Sequence, residues 1–216
     1  MMPTPSFDTW TIVFLIAAVQ GFFIALVLFH WKRGRPLGKR LLAALVLLFS
    51  ITLTEYVFYW TNYIQDFPHI AEISSCFPFL FGPLMYWYLR TCYEKTRLGY
   101  RDIWHLFPFA LAFAAYLPWY ILDAAGKQAV MLQQVRMPIW GISLGLITWG
   151  RIAHLLLYAI WCTRYVYRQP RWGRAPAGDG CSTVSFSVFV SHTPPILCCA
   201  VFPFSTPPGI TIYRRP

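Results

Sequence analysis

The sequence predicts an all-α polytopic membrane protein: a transmembrane helix bundle with five spans over residues 1–165, followed by an irregular tail over 166–216. Three observations carry that prediction. Of the 216 residues 57% are apolar and only 12% are charged, about half the charged share of an ordinary soluble domain. Apolar runs of the ~20 residues needed to cross a ~30 Å hydrocarbon core recur along the chain. The 18 Lys and Arg, against 8 Asp and Glu, gather in alternate connections, which explains the net charge of +10 by the positive-inside rule and without nucleic acid.

The first span runs from about residue 10 to 31, after MMPTPSFDTW, which has Asp8 and no basic residue and so lacks the n-region of a signal peptide. The loop WKRGRPLGKR then carries Lys32, Arg33, Arg35, Lys39 and Arg40. The second span covers about 41–64, and the connection after it (QDFPHIAE) has no Lys or Arg. The third, about 73–92, is short and holds Pro78, Gly82 and Pro83, with Arg90 placed to snorkel to the interface. Arg90, Lys95, Arg97 and Arg101 make the following connection basic. A fourth span at about 103–122 precedes a loop with only Lys127 and Arg136, and a fifth at about 139–163 is followed by Arg164, Arg168, Arg171 and Arg174. The alternation puts the N-terminus outside and residue 164 inside.

Beyond about Arg168 the character changes. RQPRWGRAPAGDG is rich in Pro, Gly and Arg, and the remainder carries Pro194, Pro195, Pro203, Pro207 and Pro208 with neither helical nor strand periodicity. Such a tail reads as a natural disordered extension or as the product of a shifted reading frame.

Ionisable groups inside a bilayer are costly and mark functional or packing contacts. Glu55 lies about fourteen residues, or ~21 Å, from the inner end of span two, and Arg151 about eleven residues, or ~17 Å, from that of span five. Each belongs to a polar stripe at helical spacing: Thr52, Glu55, Tyr59 and Asn62 in span two, and Thr148, Arg151, His154 and Tyr158 in span five. Facing one another, these stripes form a polar seam. One reading is a ligand pocket or a proton-responsive pair, with His154 the member that titrates nearest neutrality. The other is a Glu55–Arg151 ion pair, or groups satisfied separately, serving only as polar glue.

The chain is not predicted to be an enzyme. No H-E-x-x-H or Gly-rich phosphate loop occurs, and no cofactor is implied. The six Cys include no C-x-x-C and match no zinc-ligand spacing. The predicted partners are the lipid bilayer and an unidentified small-molecule or membrane signal. Ala17-x-x-x-Gly21 and Gly141-x-x-x-Gly145 offer close helix contacts, which suit internal packing and are compatible with a homodimer.

Gln20-Gly21, Phe67-Pro68-His69, the run from Phe79 to Tyr88 with Gly82-Pro83, Arg90, and Asp102 with His105 and Phe107-Pro108 form an ordered set. Over about residues 10–165 they resemble the N-terminal multi-pass membrane region of certain bacterial AraC-type transcriptional regulators. The resemblance implies a multi-pass protein of the bacterial inner membrane whose helix bundle senses a signal for a cytoplasmic helix-turn-helix output. The tail shows no helix-turn-helix pattern, so on this resemblance the chain is a sensory region truncated before its DNA-binding domain, and this chain itself binds no nucleic acid. A small transporter-like protein and a purely structural membrane protein are the other readings.

Overall fold

The computed structural model describes residues 7–32, 35–94, 99–132 and 144–168. Within them the chain is all-helical and has no strand. The helices are α1 (Thr9–His30), α2 (Pro36–Trp60), α3 (Pro78–Tyr93), α4 (Phe107–Tyr120), α5 (Ala124–Met131) and α6 (Leu144–Tyr167), with 3-10 segments at Tyr63–Gln65 and Tyr100–Leu106. Helices α1, α2 and α6 are each long and apolar enough to cross a membrane. A fourth crossing is added if the segment Tyr100–Tyr120 and α5, which meet at 102°, count as one broken span.

Local chemistry sets the ends. The Asp8 carboxylate accepts a hydrogen bond from Thr9 N–H at 2.7 Å and caps α1. Pro36 opens α2 five residues before the predicted start, since its fixed φ suits the first turn and its missing N–H is an orphan there anyway. α2 ends at Trp60 because Asn62 turns left-handed (φ 62°), a conformation Asn tolerates better than most residues. Pro78 likewise opens α3, so the predicted third span contains a 16-residue helix, ~24 Å long. Residues 63–77 before it form 3-10 and other turns, with bonds such as Phe77 N–H to Ser74 O at 2.9 Å. The predicted fourth span begins as a 3-10 segment and becomes α-helical only at Phe107. α6 runs four residues past the predicted end of span five; the predicted start at 139–143 and the tail from 169 lie outside the described residues.

α1 and α2 form an antiparallel hairpin, and α2 and α6 each pack on α3. Close approach needs small residues: a Cβ on Gly82 of α3 would sit 2.6 Å from Tyr158 Cγ of α6, and Gly21 of α1 leaves no room for one against Ser50 of α2. The Ala17/Gly21 face is therefore spent inside the chain, with Ala18 and Ala25 both buried. Gly145 has no neighbour at its Cβ position, and Gly141 lies outside the described residues.

Two cores result. One, near the N-terminal end of α3, gathers Phe79, Ala112, Ala115, Tyr116, Trp119 and Ile147. The other, at the C-terminal end of α3, gathers Leu41, Met85, Trp87, Tyr88, Cys162 and Val166. Beside the second lies the basic end of the bundle, where Arg35 donates to the carbonyls of Thr91 and Cys92. Arg90 at this end pairs with Asp102 at 2.5 Å and with Glu94 at 3.5 Å, and Asp102 also accepts Gly99 N–H at 2.7 Å. These bonds tie the end of α3 to the start of the segment leading into α4. Outward-facing apolar side chains are left large and bare, among them Ile16, Val19 and Phe23 of α1 and Leu157 and Ile160 of α6. In water that surface is a liability, and in hydrocarbon it is matched.

Candidate functional site

The polar side chains predicted to form one seam fall into two groups, one on each side of α3. Glu55, 2% exposed, is the one acid of α2; one of its oxygens accepts Ser74 N–H at 2.7 Å. One turn on, the Tyr59 hydroxyl donates to Glu72 Oε1 at 3.5 Å. Thr52 is buried, and its hydroxyl donates to Leu48 O at 2.9 Å within its own helix, so it serves α2 rather than a pocket. Asn62 lies beyond the end of α2 in its left-handed turn, so the fourth member of that stripe is a chain-reversal residue.

Two residues that spacing did not single out complete this side. Glu72 and Ser74 sit in the turns before α3, where no helical period reports which way a side chain faces. Glu72 is 9% exposed and left-handed (φ 64°). A non-Gly residue held in that region marks a constrained position. Its carboxylate accepts hydrogen bonds from Tyr59 and Ser75, and its carbonyl accepts from the Tyr120 hydroxyl at 3.0 Å. Trp119 Nε1 donates to the neighbouring Ala71 carbonyl at 3.0 Å. Aromatic groups of α4 thus pin the turn that carries Glu72.

On the other side, Arg151 of α6 donates to the Tyr116 hydroxyl at 2.7 Å, and its guanidinium lies 5.8 Å from that ring's centre. No ion pair joins Arg151 to Glu55 among the described residues: α3 lies between α2 and α6, and the guanidinium is turned toward α4. The acid whose charge Arg151 feels is Glu72. One donor is left over, because Arg151 Nε is buried without a hydrogen-bond partner. His154, one turn further, packs on Phe79 at 5.3 Å and on Tyr158 at 4.7 Å between ring centres, and neither ring nitrogen has a partner. Tyr158 shares a 2.6 Å hydrogen bond with His105 Nδ1. Thr148 stands one turn before Arg151 on the same helix.

The arrangement is therefore a polar layer across the bundle: two buried carboxylates on the α2 side, a guanidinium and an imidazole on the α6 side, and the hydroxyls of Tyr59, Tyr116 and Tyr120 among them. Both carboxylates already accept hydrogen bonds, whereas on the α6 side Arg151 Nε is a donor without an acceptor, and a neutral His154 offers one ring nitrogen as donor and the other as acceptor.

No family model matches the chain, and comparison with curated proteins and with solved structures finds no similar protein.

Proposed function

We propose that this chain is the membrane-embedded sensory region of a transcriptional regulator, resembling AraC-type membrane regulators and lacking its DNA-binding output. In this reading it crosses a bacterial inner membrane five times with the N-terminus outside. α3 makes the third crossing together with the packed turns at 61–77, and the segment Tyr100–Tyr120 makes the fourth. That topology follows from the alternation of basic loops. The polar layer then lies toward the outer face, where a signal arriving from outside meets it first.

The observation that carries the sensory reading is the unpartnered Arg151 Nε beside the unpartnered His154 ring, in one layer with two buried acids. A layer serving only as glue has its donors met. Spare buried donors suit a small acceptor-bearing molecule, of which carboxylic acids are the simplest class. Its arrival rearranges the balance between Arg151 and Glu72 and so biases how α6 and the 61–77 turns pack on α3.

The test is a thermal melt of the full chain in detergent against a panel of small carboxylic acids. The expected result is a saturable rise in Tm with at least one acid that is lost in Arg151→Gln, together with no uptake of that acid into proteoliposomes. Uptake identifies a transporter instead. If no acid shifts the melt and Arg151→Gln leaves Tm unchanged, the layer is neither sensor nor glue and the reading falls.

A further inference from the structure

A groove of about 690 Å³ runs along the outer face of α6, and every described residue lining it belongs to that helix or, as Arg168, directly follows it, from Ala153 through Leu157, Ile160 and Trp161 to Arg164 and Arg168. Its floor is bare apolar surface, with Leu157 and Ile160 each 55% exposed and Trp161 41% exposed. Its end is cationic. Arg164 and Arg168 stand four residues apart, on one face and ~6 Å apart along the axis. Three cations of the basic end are held by the chain itself: Arg35 by the Thr91 and Cys92 carbonyls, Lys39 by the Trp31 carbonyl, and Arg90 by Asp102 and Glu94. The guanidinium groups of Arg164 and Arg168 have no hydrogen-bond or ion-pair partner among the described residues.

The dimensions and the charge single out one occupant. From Ala153 to Arg164 is eleven residues, ~17 Å of helix, and one leaflet supplies ~15 Å of the ~30 Å hydrocarbon core. The apolar part of the groove is therefore one acyl chain long, and its cations begin where the headgroups do. A partner helix covers Leu157 and Ile160 but gives the two guanidinium groups no anion. An anionic phospholipid supplies both the apolar cover and the anion.

We propose that this face of α6 is a binding site for an anionic phospholipid, its phosphate held between Arg164 and Arg168 and one acyl chain lying along Leu157, Ile160 and Trp161. Two arginines on one phosphate give a charge-assisted contact that a zwitterionic lipid, whose own ammonium competes, offers less well. The site depends on α6 spanning the bilayer and not on the sensory reading.

The full chain in detergent micelles, titrated with phosphatidylglycerol or phosphatidylcholine carrying brominated acyl chains, tests this through quenching of tryptophan fluorescence. Brominated phosphatidylglycerol is expected to quench at several-fold lower lipid than brominated phosphatidylcholine, and Trp161→Phe removes that excess. Arg164→Gln with Arg168→Gln erases the preference, at about fivefold per arginine. Arg40→Gln with Arg101→Gln, an equal charge loss elsewhere at the basic end, leaves it in place. Equal quenching by the two lipids in the unmodified chain overturns the site. Equal loss in both double variants also overturns it, as bulk attraction only, and so does a preference that survives Trp161→Phe, which places the lipid elsewhere. Quenching of the unmodified chain decides the matter even if an arginine variant fails to fold.

Discussion

Glu72 shows what a single residue does in this chain. Its carboxyl is buried and accepts hydrogen bonds from the Tyr59 and Ser75 hydroxyls. Glu72→Ala is expected to leave both hydroxyls without their acceptor and to cost about 1–3 kcal/mol, read as a lower denaturation midpoint of the detergent-solubilised chain; an unchanged midpoint removes these bonds as a source of stability. Asp102 ties down a second turn. It holds Arg90 at 2.5 Å and caps the turn at Gly99. Asp102→Asn is expected to cost about 2 kcal/mol, the usual worth of a hydrogen bond to a charged group, read as a lower denaturation midpoint. Of the site, Glu55, Arg151 and His154 were legible because a charge within an apolar run is conspicuous by itself. Glu72 and Ser74 were not, because turns have no period and a left-handed carboxylate leaves no trace in spacing.

At the scale of elements, helix existence was readable and helix ends were not. α1, α2 and α6 follow apolar runs too long for anything but helix. α3 and α4 start late because Pro78 and Pro108 each stand in a first helical turn, leaving the apolar residues before them to turns and 3-10 geometry. The opposed stripes of α2 and α6 were expected to touch, and the insertion of α3 between them is a fact of packing order that spacing along one helix does not contain. That insertion rests on Gly82. Gly82→Ala drives a methyl into the Tyr158 ring and is expected to cost about 1–3 kcal/mol, with Gly82→Leu worse, measured as loss of the cooperative melt. If Gly82→Ala melts like the parent chain, α3 and α6 are not held in this contact.

For the whole molecule, the topology makes a sharp prediction. In a background without native cysteines, Asp66→Cys and Asp123→Cys are expected to react with a membrane-impermeant thiol reagent added to intact cells, and Arg40→Cys and Arg101→Cys only after the membrane is opened. Labelling of all four in intact cells, or of none, rejects five crossings with the N-terminus outside. The all-helical class was visible in composition alone, since so few charges leave few ways to satisfy a backbone except internally. How helices share partners was not. α1 packs chiefly on α2, across a connection of only five residues. This gives the chain a biosynthetic order: the hairpin Thr9–Trp60 is complete before any of α3 has been translated, so it can leave the insertion machinery as a finished unit and serve as the template on which later helices dock. A chain stopped after Phe67 and carrying Gly21→Cys and Ser50→Cys, whose Cβ positions nearly meet across the hairpin, should thus already form that disulfide on mild oxidation; its absence would place the packing of α1 on α2 later in synthesis.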